Sequence, residues 1–520
     1  MDSNTVQILI AMVCYMLVVL GIGIYFMKRS NESSEEFFLG GRSLGPWVAA
    51  FSAEASDMSG WLLMGLPGVA YWCGLADAFW TAVGLAVGTY LNWLIVAKRL
   101  RSYSVVANNS ITIPDFFSNR FRENKKVLML IASLFILVFF AVYASSCFVT
   151  CGKLFSTLFG VKYVYMLIIG AIFVLVYTFL GGFLAESASD FIQAIVMIFA
   201  LCTVVICGTV AAGGLNAVVS NAQNIPGFLD FFGVATPEVV DGVQQVSGGA
   251  PLFGAAGSYG PLAIISTMAW GLGYFGMPQV LLRFMAIRHP QELKKSRRIA
   301  IVWVLISLAA AVFIGIIGRA LYPTELLTAG ASENVFIILS TNLLPPLIAG
   351  VVMAGILAAT MSSSDSYLLI AASALSKNIY QGIVKKDATD KQVMNMSRIT
   401  LVVISVIGVL IALDENSVIF TIVSFAWAGF GATFGPVLIF SLFWKRINRA
   451  GAIAGMVSGA AMVFIWKLLL KPMGGIWGIY ELLPAFIISC VAIIVVSLLT
   501  KAPSAELNAD FEAAKTYKGA

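Results

Sequence analysis

Thirteen stretches of this chain are long and apolar enough to exchange water for lipid, and they account for most of its length. Crossing a hydrocarbon core takes about 20 apolar residues in a helix. Such runs stand at 6–27, 45–71, 78–97, 127–150, 163–183, 189–213, 260–286, 299–321, 336–376, 397–413, 417–443, 450–470 and 480–500. Backbone groups without water must bond inside their own segment or around a closed barrel, and runs of this length select helices. The expected fold is all-α and integral to a membrane, with about 13 transmembrane helices in a single domain over 1–500. The ninth run is too long for one crossing, so it is expected to bend or to continue past the bilayer. The first has neither a basic leader nor a small-residue cleavage site, so it reads as a retained helix. Charged residues make up only 11% of the chain, against about 25% in soluble domains.

Seven cysteines fall mostly inside apolar runs, and they read as small buried hydrophobes rather than metal ligands or disulfides. His289 is the single histidine, which excludes a histidine-rich metal site. Of the 32 basic residues, 27 fall on one set of loops and the tail, and 5 (Lys153, Lys162, Arg319, Lys467 and Lys471) fall on the other side. Basic loops stay in the cytoplasm, which puts the N-terminus outside and the C-terminus inside. The net charge of +6 thus reads as a set of topology determinants rather than a lipid or nucleic-acid site. Residues 214–259 contain no Lys or Arg and read as an extracellular, partly ordered loop. The stretch 501–520, with Lys501, Lys515 and Lys518, reads as a short cytoplasmic tail without a domain of its own.

Three interruptions inside the spans carry the functional reading. Ala53–Gly68, AEASDMSGWLLMGLPG, places Glu54 and Asp57 at membrane depth beside Ser59-Gly60, Gly65 and Pro67. A carboxylate there costs roughly 2.5–3.5 kcal/mol on insertion scales, so it needs a purpose. Irregular backbone is tolerated at that depth only inside protein or along a cavity. A broken helix holding an ion is the simplest reading. The second interruption, Trp270–Gly276 (WGLGYFG), formally matches a dinucleotide fingerprint. It lacks the flanking strand and acidic partner that such binding requires. Its glycines read as backbone bending around a small ligand, with Trp270, Tyr274 and Phe275 as walls. Five spans separate the two breaks, the arrangement of inverted repeats. The third is Ala358–Ser366, AATMSSSDS, where five hydroxyls and Asp365 lie within seven residues. On a helix Ser362, Ser363 and Ser366 occupy nearly one face. Hydroxyls with main-chain carbonyls make a hard, weakly charged oxygen site suited to a monovalent cation such as Na⁺, whereas converging carboxylates would suit Ca²⁺ or Mg²⁺.

At these residues the chain resembles the sodium/solute symporter family, most closely its proline-transporting branch. The matching stretches are FFLGGRSLGPWVAAFSAEASDMSGWLLMGLPG (37–68), TIPDFF (112–117), WGLGYFGMPQVLLRFMA (270–286), ILAATMSSSDSYLL (356–369), SFAWAGFGATFGPVLIFSLFWKR (424–446) and KAPS (501–504). The resemblance implies a LeuT-like fold of five-plus-five inverted repeats, the first helix of each repeat broken. Residues 6–27 would be an extra N-terminal helix, 45–213 repeat one, 260–443 repeat two, and 450–500 two further helices. It further implies a sodium site made by main-chain oxygens of Ala55, Met58 and Ala359 with the hydroxyls of Ser362 and Ser363. Asp57 and Arg42 would couple sodium to transport. L-Proline would sit by Ser59 and Gly60, with Tyr143, Trp270, Tyr274 and Pro278 shaping its pocket. Asp190 and Ser366 are available for a second sodium site, although Asp365 departs from the pattern there. Glu54, where a small residue is usual, and the segment AESASD before Asp190 are further departures. The implied activity is sodium-coupled proline uptake by alternating access in a bacterial plasma membrane, with Na⁺ as the co-transported ion and no organic cofactor. Neither a nucleophile with its base nor a nucleotide site stands out, so enzymatic chemistry is not expected. Symport of another small organic solute, a proline-binding membrane sensor and an ion channel are the alternatives.

Overall fold

The computed structural model describes residues 3–30 and 33–517; Lys518 of the tail lies outside them. Helices dominate, because in a chain this apolar they alone satisfy the backbone from within each segment. In order, the main ones are α1 (Ser3–Ser30), α2 (Pro46–Asp57), α3 (Trp61–Cys73), α4 (Leu75–Val106), α5 (Ile113–Arg120) and α6 (Val127–Phe159). Next come α7 (Tyr163–Ala211), α8 (Pro261–Phe275), α9 (Pro278–Ala286), α10 (Leu293–Leu321) and α11 (Val335–Leu343). The last are α12 (Pro346–Val384), α13 (Asp390–Ile411), α14 (Ile419–Phe443), α15 (Arg449–Met473), α16 (Leu482–Leu499) and α17 (Ala505–Thr516). Among the described residues, 10 helices are long and apolar enough to cross a membrane, and the shorter apolar helices are Trp61–Cys73, Tyr163–Phe179 and Pro261–Phe275. The protein is a multi-pass, mostly helical membrane protein.

Breaks in the helices follow the residues that cause them. Two spans join in α7 and turn at Gly182, whose φ of 60° suits glycine. The long ninth run divides at Leu344-Pro345, since the residue before a proline avoids helical geometry. Beyond that point α12 is the most enclosed of the crossing helices, with 83% of its most apolar window buried. It packs against α7, α1 and α6, so its serine cluster faces protein and not lipid.

The second break is a seven-residue 3-10 turn, Ala269–Phe275, followed by α9. Its glycines serve packing as much as bending. A Cβ on Gly271 would lie 2.2 Å from the Gly84 carbonyl, and one on Gly273 would lie 1.9 Å from Trp427 Nε1. Small residues here let the backbones of α4 and α8 approach each other.

The stretch expected outside is ordered. It forms short antiparallel pairs, including Gly233–Val234 with Gly257–Ser258, and bonds back to the helices through Ala235 N–H to Cys73 O at 3.0 Å. On the same side the Lys153 ammonium donates to Glu333 Oε2 (2.8 Å) and to the Gly330 and Ser417 carbonyls. Glu333 in turn accepts from the Ile419 and Phe420 amides at the start of α14. At the other end of the chain the tail forms α17, which lies against α4. Arg122 pairs with Glu506 and Asp510, and Phe511 is buried beneath the Arg99 and Arg120 guanidiniums.

Candidate functional site

The first break frees a carbonyl and the serine cluster takes it. In an unbroken helix the Ser59 amide would bond the Ala55 carbonyl; here it turns to Asp57 O at 3.0 Å. The Ala55 oxygen, an orphan of the last turn, instead accepts from Ser362 Oγ at 2.7 Å and Ser363 Oγ at 3.2 Å. Ser362 Oγ also reaches Ala359 O at 3.2 Å. Four of the five oxygen ligands implied by the resemblance (Ala55, Ala359, Ser362 and Ser363) thus meet where α2 ends on α12. The fifth residue, Met58, caps α2 with φ −86° and ψ 77°, and its sulfur accepts from Ser307 at 3.6 Å. Ser364 and Thr360 bond back to their own helix instead. The converging groups are uncharged hard oxygens, a donor set that holds a small monovalent cation.

Asp57 lies at the same break but faces the second one. Its Oδ2 accepts from the Tyr274 hydroxyl at 2.8 Å, its carbonyl accepts from Trp61 Nε1 at 3.1 Å, and Oδ1 has no hydrogen-bond partner. An aspartate on one broken helix is therefore tied to a tyrosine on the other. Asn92 fixes that tyrosine from α4 by donating to its carbonyl at 2.9 Å. Tyr274 meets Trp427 edge-on at 5.0 Å, and the Trp270 carbonyl accepts from Trp427 Nε1 at 2.7 Å. Trp270 stacks on Tyr480 at 5.1 Å, and both line a cleft of about 460 Å³. Ser59 is buried with a free hydroxyl, and Gly60 presses on Thr150, where a Cβ would meet Oγ1 at 2.2 Å. Tyr143 stacks on Tyr367 of α12 at 4.2 Å. Pro278 opens α9, where its missing N–H is no loss.

Glu54 is buried on α2, one turn before Asp57, with Oε1 accepting from Trp93 Nε1 at 3.0 Å and Oε2 free. Arg42, in left-handed backbone at φ 53°, closes the opposite end of α2. Its guanidinium donates to Asn109 Oδ1, Ser104 Oγ, Met285 O and Ser110 O at 2.6–3.1 Å. The start of the first broken helix is thereby joined to the end of α9. Burial, with Arg101 adding repulsion, lowers the Arg42 guanidinium to about 10, which keeps it charged at neutral pH.

The residues considered for a second ion site do meet, and a guanidinium lies between them. Arg283, fully buried, donates to Asp190 Oδ2 (3.2 Å), Ser366 Oγ (2.9 Å), Ser52 Oγ (2.9 Å) and Glu186. Ser52 also donates to Asp190, at 2.7 Å. The sequence reading counted Arg283 with the basic loops and gave Glu186 no role. Its position inside the apolar run VLLRFMA was the available signal, because a charge at that depth requires partners. Trp427 and Tyr480 were also missed, because their contacts with Trp270 join segments 157 or more residues apart.

The profile of the Sodium:solute symporter family matches residues 37–459. A "Sodium/proline symporter" of Staphylococcus aureus (strain USA300 / TCH1516) is 40% identical over 515 residues, covering 98% of this chain and 96% of that protein. Among solved structures, a Na⁺-coupled sialic acid symporter in its substrate-bound outward-open state aligns with a TM-score of 0.76 at 18% identity, covering 96% of this chain and 99% of the other. Mhp1, a nucleobase-cation-symport-1 family transporter in a closed conformation, aligns at 0.54 with 12% identity, over 92% of this chain and 98% of the other. From its matched profile and its close relative, this chain belongs to the sodium:solute symporter family.

Proposed function

We propose that this protein carries L-proline into the cell together with Na⁺, by alternating access, and is not an enzyme. The observation that carries this reading is the Ala55 carbonyl, released by the break in α2 and shared by Ser362 and Ser363. A cation among these oxygens would bridge α2 to α12. The ion's charge, beside Asp57, would order the contact between Asp57 and Tyr274 that joins the two broken helices. Solute bound between the breaks then strengthens ion binding, and the ion strengthens solute binding by the same factor. The 40% identical relative named a sodium/proline symporter supports proline as the solute. Ser59, Gly60, Tyr143, Trp270, Tyr274 and Pro278 are its proposed contacts, with Met58 O completing the sodium shell and Arg42 setting the coupling at the inner end.

The proposed architecture is thirteen crossings in a LeuT-like five-plus-five inverted repeat, with an additional helix before the repeats and two after them. The N-terminus lies outside and the C-terminus in the cytoplasm of a bacterial plasma membrane. A single Na⁺ moves per cycle, because Arg283 supplies the positive charge between Asp190 and Ser366. The test is uptake of labelled L-proline into proteoliposomes with and without an inward Na⁺ gradient, alongside Ser362→Ala and Asp57→Ala. Sodium-dependent accumulation that both substitutions abolish is expected. Folded protein that accumulates no proline under a gradient refutes the assignment.

A further inference from the structure

An apolar groove of about 430 Å³ opens on the outer surface of the helix bundle, away from the ion and solute sites. Trp47 and Phe51 of α2 form one wall, Ile195 and Ile198 of α7 a second, and Val302 and Trp303 of α10 the third. Arg298 closes the end where α10 begins. Lys295, one turn earlier, holds its ammonium 5.9 Å from the Trp47 ring. Both cations are exposed. The acid beside them, Glu292, is held by Arg288 at 2.8 Å, which lowers its carboxyl below the usual range. Among the described residues neither Lys295 nor Arg298 forms an ion pair of its own.

A concave apolar slot with two unpaired cations and a tryptophan at its rim is complementary to one kind of molecule. We propose that this groove binds an anionic phospholipid, its phosphate between Lys295 and Arg298 and an acyl chain along Phe51, Ile198 and Val302. On the orientation proposed above, the lipid belongs to the cytoplasmic leaflet. This gives one of the basic loops a role beyond fixing topology. The lipid touches the helix whose far end carries Ala55 and Asp57. Phe51 stacks on Phe191 at 5.2 Å, and the next residues, Ser52 and Asp190, are hydrogen-bonded. The occupied groove therefore braces α2 against α7 at the level of the buried arginine.

The test reads Trp47 directly and does not depend on the transported solute. The parent protein and Trp47→Phe are reconstituted in phosphatidylcholine vesicles. These contain a minor fraction of either acyl-brominated phosphatidylglycerol or acyl-brominated phosphatidylcholine. The fluorescence difference between the two proteins isolates Trp47. Each basic residue near the surface favours an anionic lipid by about fivefold, so the Trp47 signal is expected to be quenched at a far lower fraction of the brominated phosphatidylglycerol. Lys295→Gln with Arg298→Gln should abolish that preference, whereas Lys385→Gln with Lys386→Gln, on another basic loop, should leave it. Equal quenching by both lipids in the parent overturns the proposal. So does a preference that survives loss of Lys295 and Arg298, or one lost equally without Lys385 and Lys386, which would reduce it to diffuse surface charge.

Discussion

Replacing Tyr274 by phenylalanine removes one oxygen from the centre of the protein and leaves the aromatic wall in place. The ring keeps its edge contact with Trp427, 5.0 Å between centroids. Asp57 loses the donor at 2.8 Å on Oδ2, and its Oδ1 has no hydrogen-bond partner to compensate. A buried hydrogen bond to a charged group contributes about 1.5–3 kcal/mol. The donor stabilises the ionised carboxylate, and the ionised carboxylate attracts the cation, so the loss falls on the ion-bound state. At about 1.4 kcal/mol per factor of ten, the Na⁺ concentration for half-maximal uptake should rise by about 10- to 150-fold. The assay is initial-rate proline uptake against Na⁺ concentration in proteoliposomes, with a melting curve as the check on folding. If Tyr274→Phe stays close to the parent in Na⁺ dependence, Tyr274 is only a wall and the proposed coupling between the breaks is wrong.

Gly60→Ala places a Cβ 2.2 Å from Thr150 Oγ1; the overpacking should cost about 1–3 kcal/mol. Adding Thr150→Ala should restore part of the lost stability and uptake, and strictly additive losses would contradict the close contact. Arg283→Met leaves Glu186 and Asp190 buried without their cation, so the thermal midpoint in detergent should drop by an amount equivalent to about 3–5 kcal/mol. Adding Glu186→Gln and Asp190→Asn should recover much of that loss. If Arg283 takes the place of an ion between Asp190 and Ser366, as proposed, the Na⁺ activation curve should be hyperbolic; a sigmoid curve would require a second bound ion. Arg42→Lys gives up the planar fork that reaches Ser104, Met285 and Ser110, and should weaken Na⁺ activation about tenfold, measured by the same uptake titration.

The breaks around the proposed ion shell were legible in the sequence because their signals are local. An aspartate beside Ser-Gly inside a span, and serines packed into another span, both violate what lipid tolerates. Ala55 illustrates the limit: nothing about an alanine announces a carbonyl, and only the turn of the Ser59 amide toward Asp57 frees it. Arg283 was hidden by its nearness in sequence to a basic loop, although it lies inside an apolar run. Its partners Glu186 and Asp190 lie 97 and 93 residues away, a pairing that no periodicity predicts. The glycines of the second break were read for bending alone, because a glycine needed for bending and one needed for packing look alike without the facing backbone of Gly84. The tail seemed featureless for the opposite reason. Its few charges gain meaning only against Arg122 and the buried face around Phe511.

That tail has a consequence for how the protein is made. Asp510 pairs with Arg122 across 388 residues, so the arginine enters the membrane-side surface long before its partner is translated. Until then Arg99, Arg120 and Arg122 stand on one side of the half-built protein without the helix that covers them. Closure of α17 over these residues therefore has to wait until 505–516 have been translated. A chain that stalls before that point displays an uncovered basic patch.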